Sequence, residues 1–199
     1  LSFLIDASVG GSIFSNTNKT GKYTGVLANT LSGRDAEHGG LWYYTAAMGN
    51  NVRLPESPSY SVSSDGLYYA QVNGQSTRVY QDGIMVEGVT ESGSKNEEVV
   101  SAEKYYHRIY SIAEANVYDA SYVKLREVAL SYRLPRLWTQ KLHLQEASVT
   151  LTGRNLWTIY KSVPNIDPES ALTTGNAQGV EAYSLPTTRS FGVNLSVKF

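Results

Sequence analysis

Cysteine is absent from the 199 residues, which excludes disulfide frameworks, thiol nucleophiles and thiolate metal sites. The absence says little about compartment, because a chain in an oxidising space is free to avoid thiols. Net charge is nearly absent as well. Seventeen Lys+Arg stand against 18 Asp+Glu, for −1, and no long basic run occurs, so a nucleic-acid or anionic-lipid partner has no electrostatic support. No apolar run approaches the roughly 18 residues of a spanning helix, and no secretory signal is present. The three histidines, His38, His107 and His143, have no H-x-x-H or H-E-x-x-H spacing, and no nucleophile elbow, P-loop or Rossmann pattern appears. The reading is therefore of a protein that is not an enzyme, with no catalytic residue, metal or cofactor.

What the sequence does contain is alternation. In the closing stretch Phe191, Val193, Leu195, Val197 and Phe199 alternate with Ser190, Gly192, Asn194, Ser196 and Lys198. That period of two makes a strand with one apolar and one polar face and excludes a helix. The opening repeats it: Leu1, Phe3, Ile5, Ala7 and Val9 share one face, Ser2, Asp6 and Ser8 the other, with Leu4 the exception. Between 119 and 134, Val123 and Leu125 are odd-numbered while Val128, Leu130, Tyr132 and Leu134 are even. A β-bulge near Arg126 and Glu127 is expected to restore one continuous face. A fourth strand is expected over 146–156, where Ala147, Val149 and Leu151 alternate with Ser148, Thr150, Thr152 and Arg154. Ten such residues are about the length of a tilted strand across a bilayer, and they equally suit the last strand of a soluble β-sandwich. Alternation alone leaves both open.

The connections are unequal. The stretch 14–118 is rich in Gly, Ser, Asn and Tyr, with turn signals at 54–58, 64–66, Asn73-Gly74 and 81–83. A short helix is expected near Tyr23 to Ser32 and a longer one from Val99 to Ala115, capped by Glu97 and Glu98. So long a connection is either a small domain of its own or a very long loop on a scaffold. The link 135–145 is short, and 157–189 is long again. This is the asymmetry of a membrane barrel, with 14–118 and 157–189 as outer loops and 135–145 as a periplasmic turn. Four strands cannot close a barrel, for which about eight is the usual minimum, and open edges in lipid leave backbone groups unpaired. Strands from outside these residues are therefore expected, and a chain that starts and stops in mid-pattern reads as a piece of something larger.

Four ordered motifs carry a resemblance: 117–135, from Val117 to Pro135; 151–160, from Leu151 to Tyr160; 164–169, from Pro164 to Glu169; and 185–195, from Leu185 to Leu195, with the chain closing on Phe199. Together they resemble the C-terminal end of the SusC/RagA family of TonB-dependent outer-membrane transporters of Bacteroidetes. The opening, Phe3 to Asp6 with Gly10 and Gly11, resembles an upstream strand of the same barrels. The resemblance implies an all-β fold: an antiparallel transmembrane barrel of about 22 strands, of which this chain supplies about the last four. It also implies a SusD-like surface lipoprotein as lid, import of oligosaccharides or peptides, and energy from TonB through a plug and TonB box that lie outside these residues. The rest of the transporter and outer-membrane lipid complete the partners. The alternatives are a soluble β-sandwich that binds glycans and, third, a glycosidase, for which no carboxylate pair stands out.

Fifteen Tyr and three Trp against four Phe favour aromatics with a polar tip, suited to a membrane interface or a sugar-binding surface. Trp42, Tyr43, Tyr44, Tyr68, Tyr69, Tyr105 and Tyr106 are the candidates for touching substrate or partner; the competing reading is that they pack the long segment against itself. Trp157, Tyr160, Phe191 and Phe199 are expected at membrane interfaces. Asp6 is expected to be solvated on the polar face of the first strand, and Asp65, Asp82 and Asp167 to serve turns.

Overall fold

The computed structural model describes residues 1–55, 57–141, 143–170, 175 and 178–199. Strands β1 (Ser2–Ser8) and β2 (Ser12–Ser15) lead into helix α1 (Asn16–Tyr23) and a 3-10 turn at Ala28–Leu31. Next come β3 (Leu41–Thr45), β4 (Asn51–Arg53), β5 (Tyr60–Val62), β6 (Tyr68–Val72), β7 (Gln75–Met85), β8 (Val99–Ser101), helix α2 (Ala102–Ser111) and a 3-10 turn at Glu114–Asn116. The chain finishes with β9 (Val117–Asp119), β10 (Tyr122–Arg133), helix α3 (Arg136–Lys141), β11 (Glu146–Lys161), β12 (Val180–Glu181) and β13 (Ser190–Lys198). Strands dominate, helices are few and short, and no described helix is long and apolar enough to cross a membrane. The chain forms two compact units: Leu1–Thr17 with Val117–Phe199, and Asn18–Asn116.

The first unit is built on an antiparallel sheet in the order β1-β10-β11-β13. It does not close on itself; β1 and β13 are its edges. The expected bulge is there. The ladder of β10 with β1 shifts between Leu125 and Glu127, and its ladder with β11 shifts at the same place, leaving Arg126 as the extra residue. On β11 the break falls at Asn155 and Leu156, and Asn155 takes a left-handed φ of 51°, which asparagine tolerates better than most residues. Leu156 folds back over Gly153, where a Cβ would lie 2.9 Å from Leu156 Cδ2; a larger residue there would push the leucine side chain aside. Beside this sheet, β2 pairs antiparallel with β9 and parallel with β12. Ile13, Val163 and Ile166 bury themselves together against Tyr118 and Ala120.

The second unit corrects part of the sequence reading of 14–118. The stretch carries strands where only turns and helices were expected: β4-β3-β7-β6-β5 form a sheet, with β8 added to β7. Its hairpin turns on Asn73 and Gly74, φ 51° and 77°, with Val72 facing Gln75, the two-residue turn that Asn-Gly favours. Asp82 lies inside β7 and accepts a hydrogen bond from the Tyr43 hydroxyl at 3.1 Å, so it does not serve a turn. Trp42, Ala70 and Val79 form the core, with Tyr44, Leu54, Tyr68 and Val72 packed on it. The helices are displaced from their expected places. The stretch Tyr23–Ser32 holds the 3-10 turn Ala28–Leu31, with the α-helix before it at Asn16–Tyr23, and the second helix begins only at Ala102 because Val99–Ser101 pairs with β7. Ser101, not Glu97 or Glu98, caps it, its Oγ accepting from Lys104 N at 3.3 Å. Glu98 lies 3.6 Å from Arg108 in an exposed pair. Residue 56, inside the turn expected at 54–58, and parts of 135–145 and 157–189 lie outside the described residues.

Trp42→Ala should cost about 3 kcal/mol or more, the usual penalty for emptying a large core site. Hydrogen exchange in Leu41–Thr45 and Gln75–Met85 should quicken while β11 and β13 stay protected. Uniform loss of protection would contradict the division into units.

Candidate functional site

The two faces of the β1-β10-β11-β13 sheet differ sharply. Alternation puts Tyr122, Lys124 and Arg126 on the polar face, opposite Asp6 of β1, which is the cross-strand partner of Lys124. The segment after β11 then lays two carboxylates on these cations. Lys124 Nζ reaches Asp167 Oδ1 and Glu169 Oε2, each at 2.5 Å. Arg126 pairs with Asp6 at 2.8 Å and also with Glu169. The Tyr122 hydroxyl donates to Glu169 at 3.0 Å and to Asp6 at 3.3 Å, and Thr187 Oγ1 donates to Asp167 Oδ2 at 2.8 Å. The side chains of Lys124 and Asp167 are only 5% and 7% exposed, so neither ion has water to replace its partner. Burial alone would raise the Asp167 carboxyl, but the bonds from Lys124 and Thr187 outweigh it and hold it at about 2. Glu169 is lowered by the same balance, with Lys124, Arg126 and Tyr122 as its donors against burial. Asp6 is thus part of an ion network, and Asp167 serves it as well as a turn; both readings of these residues from sequence were too weak.

A second clasp holds the returning chain. Glu181 is fully buried and accepts from Ser15 Oγ at 2.7 Å, Thr17 Oγ1 at 2.6 Å and Ser184 N at 3.2 Å. These neutral donors outweigh burial and lower its carboxyl too. Beside the clasps lies a cavity of about 240 Å³, whose walls include Asn155, Thr158, Lys161, Asp167, Thr187 and Arg189.

The other face is apolar and open. Across the strands Phe3 faces Val128, Gly153 and Phe191 in turn; Leu130, Leu151 and Val193 make the next row, and Tyr132, Val149 and Leu195 the one after. Phe191 is 80% exposed, Val193 73% and Leu195 66%. Trp157, Tyr160 and Phe199 are exposed as well. Ion pairs Arg154–Glu127 at 2.9 Å and Arg133–Glu146 at 2.8 Å join neighbouring strands.

No family model matches the chain. Over 94 residues the chain is 34% identical to TonB-dependent receptor P3 of Formosa agariphila, a match that covers 44% of this chain and 9% of that protein. The similarity supports the TonB-dependent receptor family. The chain therefore spans a small fraction of its curated relative. No group of three His, Cys, Asp or Glu among the described residues is placed to hold a metal ion.

The aromatic residues singled out in this receptor-like sequence do not form one surface. Trp42 and Tyr43 are buried in the second unit's sheet, Trp42 tilted against Tyr60 and edge-on to Tyr68, and Tyr43 stacked on Tyr80 at 5.1 Å. Tyr106 is buried too, and its hydroxyl donates to the Asn29 and Ser32 carbonyls; burial raises its pKa, as it does that of Tyr43. These three pack the unit. Tyr44, Tyr68, Tyr69 and Tyr105 are half-buried, with Tyr68 in the aromatic cluster and Tyr105 edge-on to Tyr106. Of the clasp residues only Asp6 and Asp167 were weighed beforehand, and in other roles, although 117–135 and 164–169, two of the motifs behind the resemblance, supply Tyr122, Lys124, Arg126, Asp167 and Glu169.

Because the folded state lowers the Asp167 carboxyl from 3.8 to about 2, its contribution is complete above its ordinary value and is lost as the pH falls toward 2. Amide exchange in 163–170 should quicken through that window. Asp167→Asn should quicken it already at pH 7, since the nearly buried Lys124 then keeps Glu169 alone as its counter-ion. Unchanged exchange in the variant would mean that the segment is held by other bonds.

Proposed function

We propose that the chain is the C-terminal part of the β-barrel of an outer-membrane TonB-dependent importer of the SusC/RagA type, and not an enzyme. The observation that carries this reading is the open apolar face of the β1-β10-β11-β13 sheet. In a soluble sandwich a second layer covers such a face; here its residues stand exposed in every strand. The dimensions agree. Nine residues in β13 at about 3.4 Å each make about 31 Å, which at a tilt of about 40° spans about 24 Å, near the height of an outer-membrane barrel's apolar band. Trp157, Tyr160, Phe191 and Phe199 are then the aromatic residues at or near the two interfaces. The unpaired edges of β1 and β13 are where further strands of the same transporter join.

On this reading the polar face with its ion network looks into the lumen, 14–118 and 157–189 lie outside, and 135–145 is the periplasmic turn. The remaining barrel, plug and TonB box come from the rest of the transporter. A SusD-like lipoprotein covers the outer mouth, and the solute is an oligosaccharide or a peptide. Among the aromatic candidates Tyr69 is best placed to touch solute or lid, being half-buried and absent from the core cluster of its unit.

Arg at Val193 or Leu195 should block assembly in the outer membrane, at about 2 to 4 kcal/mol near the midplane, whereas Arg at Asn194 should be tolerated. Folded barrel recovered from outer membranes is the measure, and equal effects on the two faces would overturn the lipid assignment. Tyr69→Ala should lower solute uptake several-fold while leaving barrel abundance unchanged; unaltered uptake would assign Tyr69 to packing.

A further inference from the structure

The cavity beside the clasps carries more positive charge than its neighbours use. Its walls include Lys161, at the end of β11, and Arg189, immediately before β13. Lys161 Nζ donates to the Ile166 carbonyl at 2.8 Å, a neutral acceptor that leaves its charge uncompensated. Among the described residues neither Lys161 nor Arg189 belongs to an ion pair. The one carboxylate in the walls, Asp167, is already engaged by Lys124 and Thr187. Two cations therefore border a space of about 240 Å³, and no anion among the described residues answers them. Asn155, Thr158 and Ser184 add polar side chains to the same walls.

The size and the charge select a ligand class. The space is smaller than the roughly 300 to 1,000 Å³ of sites for drug-sized molecules, so it suits one sugar ring or one or two amino-acid residues. An arginine fork and a lysine point charge together match a carboxylate, which accepts charge-assisted hydrogen bonds on both oxygens. We propose that this cavity is a subsite for a carboxylate group on the imported solute, held by Lys161 and Arg189. The assignment rests on the importer reading. Two sources share this chemistry, the carboxylate of an acidic sugar and the C-terminus of a short peptide.

The test uses the whole protein that carries this chain, purified in detergent, and calorimetric titration with two matched pairs: glucuronic acid with glucose, and N-acetyl-dialanine with N-acetyl-dialanine amide. The carboxylate member of at least one pair should bind ten-fold or more tighter than its neutral counterpart, and the pair that discriminates names the source. Lys161→Gln with Arg189→Gln should abolish the preference without weakening the neutral member, and Arg189→Lys should restore most of it. Equal binding within both pairs, no binding of any probe, or a preference that survives the double glutamine variant would overturn the proposal. Uptake is measured separately in cells with and without TonB. Selective binding without TonB-dependent uptake would overturn the importer reading and leave the site standing, whereas uptake without selective binding would do the reverse.

Discussion

The structure depends on keeping two unlike faces in phase along four strands. Side chains alternate with a period of two, so a slip of one residue exchanges the apolar and charged faces. The sequence of β10 slips between Leu125 and Val128, and the bulge at Arg126 absorbs the slip in the backbone. Arg126 and Glu127 both fall on the polar side as a result. One meets Asp6 and Glu169, and the other meets Arg154. The irregularity therefore does two things at once: it keeps Val123, Leu125, Val128 and Leu130 on a common face, and it concentrates charge where the returning segment docks.

That docking is electrostatically demanding. Lys124 and Asp167 are almost without solvent, and burying two ions costs several kcal/mol each unless every remaining bond is made. Here they are made. Asp167 also accepts from Thr187 on its second oxygen, and Glu169 shares itself among Lys124, Arg126 and Tyr122. Glu181 solves the same problem with neutral hydroxyls and amides. Between them the two clasps tie one part of a long connection to the four-stranded sheet and another to Ser15 and Thr17 beside it, so the walls of the small cavity stand on fixed supports.

How much of this was legible in the sequence follows from the range of each signal. The alternation of β13 and the parity change at Arg126 are local, and both translate directly into backbone structure. The sheet of the second unit was harder to see because its strands, apart from β7, are only three to five residues long, too short to display a period. Asn73-Gly74 was its clearest announcement, a hairpin signal flanked by Tyr68–Val72 and Gln75–Met85. The ion network left almost no trace, since Lys124 and its partners Asp167 and Glu169 are more than forty residues apart, and nothing in a lone lysine on a strand says whether water or carboxylate surrounds it. The aromatic clusters misled in the opposite way. Adjacent tyrosines suggested a surface, but neighbours on a strand point to opposite sides, so Trp42 and Tyr43 serve two different parts of one interior.

The short ladder in which Ser12, Ile13 and Phe14 face Asp119, Tyr118 and Val117 has a wider consequence. It brings the two ends of the 18–116 segment side by side before that segment begins, so the entropy of closing a very long excursion is already met by the scaffold and grows only slowly with its length. Whatever occupies the space between those ends is released from any duty to hold the four-stranded sheet together. Such a segment can be lengthened, shortened or exchanged for another as a cassette on a platform whose own assembly does not register the change.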